Sequence, residues 1–521
     1  MKKTTAFLIA AAMTLSCTVL SFAEITEGNA YAAQQSAQSY SMTSAGVYDT
    51  FTNYTGGYEL SVDKGMNVDM TYSDIVTVLE NSGKRIEIYK QDLQGLSKEG
   101  YIGYSNKFLE NTADHKNGYR RTEQIGGYSV DVTTWERDKL ARVKNDKNYY
   151  ACLEIQTDGY MYTIFVKSSI TIAAGGGYRY LAESFRTMQP TKSGFTRTSV
   201  KVSAADRDWN PETQEFYSKY FSADAPLSWG IFEPEVDYTG YSRLLMYEKD
   251  FEYKFPVLLS YTEVLNTSIS ALQKRLDDAY ANGKILELTI QTSNASDNMI
   301  YNLLNGEYDN YLYQYADTIR NFAHPVLFRP FNEMNGDWCP YSAYNTSKDT
   351  VVFKEAYKYI YSIFEQSGAN ENTIWIWNPN SVSYPNFDWN HALMYYPGDK
   401  YVDIVGMTAY NTGTYYSGEK WQSFAELYND LYAAYSRWFT QPFMITEFAS
   451  SSVGGDKVAW INNMFTSIKR FDRIKMAVWW DGCDWDANGN IARPYFLDET
   501  PATQNAFKKG IKLPWNTDIY A

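Results

Sequence analysis

The chain has 521 residues, more than one ordinary domain takes, and its 21% charged and 44% hydrophobic fractions are those of a soluble globular protein. A net charge of −14 argues against a nucleic-acid partner, whose phosphates need basic surface, and favours no particular neutral ligand. Aromatic residues make up 17% of the chain, with 47 Tyr and 14 Trp, so flat stacking faces are plentiful even if many tyrosines are half-buried packing residues.

The start, Met1-Lys-Lys-Thr-Thr-Ala-Phe-Leu-Ile-Ala-Ala-Ala-Met, has the basic end and apolar run of a signal peptide over residues 1–33, with cleavage after Ala23 or Ala32. The expectation is a secreted protein. No later stretch has about 18 apolar residues in a row, so no membrane-spanning helix is expected. A lipid anchor on Cys17 is disfavoured by its Thr14-Leu-Ser-Cys context. Cys152, Cys339 and Cys483 then remain, an odd number with wide spacing, which predicts no disulfide framework. With three His in the chain they also argue against a zinc site, and no metal or cofactor is expected.

Residues 34–45 are rich in Gln, Ser and Ala and read as a linker. Residues 46–200 predict a small α+β domain with an antiparallel sheet. Its strand-like runs include 128–134 and 160–166, with helical patterns over Thr71–Asn81 and Tyr180–Met188. It holds no catalytic constellation, and its role is open. The polar stretch Gln189–Asp206 reads as the junction.

Within residues 201–521 strands and helices alternate. Candidate strands are Trp229–Glu233, Val257–Tyr261, Ile285–Gln291, Val326–Phe331, Thr373–Asn378, Val402–Ala409, Phe443–Thr446 and Met476–Trp480. Helical patterns cover Ile269–Ala281, Tyr308–Phe322, Val351–Gln366, Trp421–Phe439 and Lys457–Arg470. Eight such units predict an α/β fold, a (β/α)8 TIM barrel preceded by the small α+β domain. A doubly wound open sheet would usually carry a Gly-rich turn after its first strand, and none is present. The barrel is expected to close a core of its own, so that deleting residues 34–190 leaves it folded.

Two glutamates stand where apolar strands give way to loops: Glu333 after the fourth strand and Glu447 after the seventh. Either alone would read as a strand-end residue paired to an arginine. Together they stand at the mouth of a barrel, on nearly opposite strands. Retaining glycoside hydrolysis needs two such carboxyls, about 5–5.5 Å apart, one protonated to release the leaving sugar and one ionised to attack.

The stretch Phe328-Arg-Pro-Phe-Asn-Glu-Met-Asn-Gly-Asp-Trp338 resembles the acid/base motif of glycoside hydrolase family 26. Ile374-Trp-Ile-Trp-Asn-Pro-Asn380, 395–406 and Ile445-Thr-Glu-Phe-Ala449 extend the resemblance over about residues 224–515. It implies Glu333 as general acid/base and Glu447 as nucleophile. It further implies Asn332 at the sugar 2-hydroxyl, Tyr410 bonded to the nucleophile and Trp480 as the sugar platform. Trp338 would line the cleft, and Arg329 would bond a carboxylate or sugar hydroxyl, or else form a barrel salt bridge. The resemblance departs from the family's mannanases at Asn332, where they usually carry His. A change beside the 2-hydroxyl bears on substrate, because that hydroxyl is axial in mannose and equatorial in glucose. Asn332 and the opening 229–234 favour mixed-linkage β-1,3-1,4-glucan, with endo-β-1,4-mannanase as the alternative. The expected partner is a β-linked polysaccharide, acted on by a monomer. A carbohydrate-binding protein with a catalytically silent barrel is the rival of another class, and the intact glutamate pair argues against it.

Overall fold

The computed structural model describes residues 31–34, 39–172, 177–191, 196–199, 206–292 and 299–516. Residues 1–30 of the predicted signal segment, Cys17 among them, lie outside the described residues, as do 35–38 of the predicted linker. Among the described residues no helix is long and apolar enough to cross a membrane.

Strands Ser228–Phe232, Val257–Glu263, Ile285–Gln291, Val326–Pro330, Thr373–Trp377, Ile404–Thr408, Phe443–Phe448 and Ile474–Trp480 close into a parallel barrel, the eighth pairing with the first. Each is an apolar run because both its faces are buried. Alternate side chains such as Leu259, Leu327, Ile376, Ile404 and Val478 fill the interior, while Trp229, Phe328, Trp375 and Trp479 pack outward. The N-terminal end of the barrel is plugged by helix Pro211–Phe221. Asn210 caps that helix by accepting from the Thr213 amide, and Pro211 opens its first turn. Phe216, Tyr217, Tyr220 and Phe221 then fall on one face and join the interior cluster. Phe232, Tyr261 and Trp480 pack against the same cluster, and Tyr261 and Trp480 also line the cleft at the other end.

The N-terminal block is mostly β. A seven-stranded antiparallel sheet, Lys84–Asp92 and Tyr160–Ser168 near its centre, faces a four-stranded sheet that includes Tyr48–Asn53 and Tyr58–Val62. Between them lies a core of Phe51, Leu60, Ile86, Leu153, Ile164 and Val166. Three expectations need correction here. Tyr40–Ala45, expected in the linker, is a strand that pairs with Tyr48–Asn53 across the left-handed Gly46. The helix expected over Thr71–Asn81 is absent. Thr77–Glu80 is a strand paired with Lys84–Asp92, because its β-branched and apolar residues feed a hairpin whose turn Asn81 closes by accepting from Gly83 and Lys84. The helix expected over Tyr180–Met188 spans Arg179–Ser184 and gives way to strand Arg186–Thr187.

The expectation that the barrel stands alone meets a shared layer. Along Tyr149–Thr157 and Tyr160–Ser168, one parity enters the sandwich core and the other faces the barrel. Tyr150, Cys152, Trp135 and Phe165 belong to the same apolar cluster as the outer faces of the barrel strands. Charged groups on that parity find partners across the junction. Lys167 Nζ lies 2.7 Å from Asp349 Oδ1 and 2.9 Å from Glu87 Oε1, and Lys348 Nζ lies 3.2 Å from Glu154 Oε1. The Tyr150 hydroxyl donates to Asp349 Oδ2 at 2.9 Å. All these side chains are buried, and ions are tolerated there only when paired. The outer layer of the barrel therefore shares its apolar cluster with the sandwich, while the interior cluster holds residues of the barrel and of helix Pro211–Phe221.

Candidate active site

The two glutamates reach the barrel mouth by different devices. Glu333 lies three residues past the fourth strand, with φ of 55°, and Phe331 has the same value. Left-handed backbone costs a non-glycine residue about 1–3 kcal/mol and persists only where its surroundings fix it. Here the Glu333 amide donates to Asn378 O at 2.8 Å and Gly336 N donates to Glu333 O at 2.9 Å. Glu447 lies inside the seventh strand. Met444 points into the barrel and Ile445 outward, so simple alternation would send Glu447 outward. The register instead slips: Met407 opposes Ile445, but Thr408 opposes Glu447. That bulge inverts the parity, turning Phe448 outward and Glu447 into the cleft.

Once inside, Glu447 is held by three donors. Tyr261 Oη donates to its Oε2 at 2.6 Å, Arg329 Nη2 to the same oxygen at 2.8 Å, and Tyr410 Oη to Oε1 at 3.2 Å. Arg329 is fully buried beneath the cleft floor. It also donates to Thr289 Oγ1 at 2.8 Å and Asn378 Oδ1 at 3.0 Å, and its Nε lies 3.1 Å from Glu287 Oε1. Asn378 reaches it because strand six carries Gly406, where a Cβ would stand 2.6 Å from the Asn378 Cβ. Glu333 sits in a contrasting setting. Burial, reinforced by the negative charge of Glu447, holds its carboxyl well above the usual carboxylate range. Trp338 Nε1 donates to its Oε2 at 3.3 Å. One carboxyl is thus kept protonated beside another that is surrounded by donors, the division of labour that acid and nucleophile require.

The cleft has a volume of about 1510 Å³, and Asn332, Glu333, Trp338, Tyr410, Glu447 and Trp480 all line it. Trp480 stacks on Phe232, centroids 5.1 Å apart. Asn332 Oδ1 accepts from Gln291 Nε2 at 2.7 Å, which fixes the amide. Of the seven residues expected at the site, Arg329 alone sits below the surface, where it acts on the Glu447 carboxylate. Four residues were not expected: Tyr261, Gln291, Glu287 and Asn378. Tyr261 and Gln291 lie at or near the ends of strands two and three, so the strand-end rule that singled out the glutamates applies to them equally. Glu287 gives no such signal, being one polar residue inside an apolar run. Its buried carboxyl is pushed up to about 8, mainly by desolvation. The rim adds exposed aromatic faces at Tyr384, Tyr416 and Trp485.

The sequence model of the family described as glycosyl hydrolase family 26 matches residues 284–447, which contain both glutamates. Endoglucanase H of Acetivibrio thermocellus is 32% identical over 234 residues, 43% of this chain and 25% of that protein. A mannan endo-1,4-β-mannosidase of Bacillus subtilis is 36% identical over 101 residues, 19% of this chain and 26% of that protein. The chain thus spans about a quarter of the length of these two relatives. Among solved structures, a modular endo-β-1,4-mannanase from Cellulomonas fimi superimposes with a TM-score of 0.46 at 17% identity, over 61% of this chain and 77% of that one.

Proposed function

We propose a secreted endo-acting retaining β-glycanase whose barrel is of glycosyl hydrolase family 26, the family whose sequence model matches residues 284–447. The observation that carries the reading is the pairing in one cleft of a carboxyl kept protonated, Glu333, with a carboxylate held by Arg329, Tyr261 and Tyr410. Glu333 protonates the glycosidic oxygen while Glu447 attacks the anomeric carbon. Water deprotonated by Glu333 then releases the sugar from the glycosyl-enzyme. Asn332 and Trp480 hold the reacting sugar, and the exposed rim aromatics suit a polymer lying across the cleft. Export rests on the basic and apolar start of the chain.

For the backbone we favour β-1,4-mannan. Five relatives are mannan endo-1,4-β-mannosidases, and the mixed-linkage preference expected from Asn332 gains no support from them. β-Glucan is the second reading, favoured by one observation: the relative matched over 234 residues is an endoglucanase. A panel of galactomannan, glucomannan, lichenan and barley β-glucan decides, with proton NMR of the first product. Faster mannan hydrolysis with the β-anomer formed first is expected. Faster glucan hydrolysis overturns the mannan reading, a first-formed α-anomer overturns retention, and no hydrolysis overturns the activity.

The same site fixes a pH dependence. Glu333 works as an acid in its protonated form, and burial together with Glu447 raises its pKa. kcat/KM is therefore expected to hold across neutral pH and to fall as pH rises through that raised value. An activity lost already between about pH 4 and 5, where an ordinary glutamate titrates, would contradict the assignment.

A further inference from the structure

One rim of the cleft is built from two barrel loops, residues 331–349 after strand four and 379–392 after strand five. The first carries Glu333 and Trp338 and the second carries Tyr384, whose ring centroid lies 5.4 Å from that of Trp338. Both loops are pinned by the N-terminal sandwich. The Tyr104 hydroxyl donates to Asp337 Oδ2, and its ring lies 5.1 Å from Tyr344. The Tyr101 ring lies 4.6 Å from Phe387. The Asp388 amide donates to Gln91 Oε1 at 2.7 Å, and Trp389 Nε1 donates to Ser105 Oγ at 3.1 Å.

We infer that the N-terminal sandwich is a working part of the cleft, with Tyr104 as a positioning residue for the arm that carries the acid/base. The inference deepens the glycanase reading and rests on it. Tyr104 grips Asp337, the residue next to Trp338. Trp338 is half-exposed, rides over Gly336 and donates from its indole to Glu333 Oε2. The line from Tyr104 through Asp337 and Trp338 thus ends on the carboxyl that protonates the leaving oxygen. Nothing on that line touches Glu447. Loosening it weakens protonation of the leaving oxygen, and leaves the Glu447 carboxylate held as before. A shift of about 1 Å at a reacting group costs up to about 10²-fold in rate.

The test is Tyr104→Phe in the full-length chain, which keeps the ring and removes the hydroxyl. Two substrates are compared: the polysaccharide the wild type cleaves, and a dinitrophenyl β-glycoside whose leaving group needs no acid. The expected result is a loss of about tenfold in kcat/KM on the polysaccharide, an unchanged kcat/KM on the dinitrophenyl glycoside, which reports formation of the glycosyl-enzyme alone, and an unchanged Tm. Wild-type rates on the polysaccharide overturn the inference. So do equal losses on both substrates with a lowered Tm, which mark a merely structural contact. If the wild type cleaves neither substrate, the glycanase reading has failed instead. The clamp is then read from acrylamide quenching of Trp338, assigned with Trp338→Phe. Greater quenching in Tyr104→Phe is expected, and equal quenching overturns the clamp.

Discussion

Glu447→Ala should lower turnover on the order of 10⁵-fold while the protein stays folded. Arg329 stays bonded to Thr289 and Asn378, so the vacated site keeps its shape and its positive charge. Tyr261 and Tyr410 still donate into the space the carboxylate held. That space is built for an anion. Azide should therefore enter it, attack the anomeric carbon of an activated glycoside and restore part of the rate, giving a glycosyl azide of inverted configuration. Glu333 plays no part in that step when the leaving group is good. Near-native activity in Glu447→Ala would remove it from the nucleophile's role.

Deleting residues 34–190 should abolish folding of the remaining chain, contrary to what the sequence suggests. The barrel side of the junction would then expose Tyr301, Phe387, Trp389 and Met394, which now pack against the sandwich. Lys348 would lose Glu154, and Asp349 would lose Lys167 and Tyr150. Removing one partner of a buried ion pair typically costs about 3–5 kcal/mol, and several go at once. Asp349 also caps the helix Thr350–Ser367, accepting from Val351 N at 3.1 Å, so its setting reaches into the barrel's own helices. Circular dichroism and thermal melting of the truncated chain check this. A soluble barrel with a cooperative transition and wild-type turnover would show that the two parts are independent after all.

The barrel was legible because its strands are dense apolar runs separated by helical periodicity, a signal carried within short windows. The glutamates were legible for the same reason: each breaks such a run near its end. Arg329 was legible as a residue and ambiguous in role, since the sequence does not say whether a buried arginine serves a sugar or a carboxylate. Thr77–Glu80 was misread as helix because an apolar window of that length fits either period, and the partner strand Lys84–Asp92 decided it. The shared core was invisible for a deeper cause. Strand residues such as Tyr150, Cys152, Glu154 and Lys167 alternate with a sandwich core, and alternation reports that two faces differ without naming what covers the second. Only tertiary contact shows that Glu154 and Lys167 meet Lys348 and Asp349.

The slipped register in the seventh strand makes the reactive carboxylate a matter of counting as much as of chemistry. With regular pairing past Ile445, the same Thr-Glu-Phe would aim the glutamate among the outer helices and send Phe448 inward. The site is thus sensitive to the length of this strand in a way that no substitution table captures. An insertion or loss of one residue between Ile445 and Glu447 exchanges inside for outside and leaves every residue type intact. Homologous strands can therefore drift widely in composition, provided the odd residue stays in place.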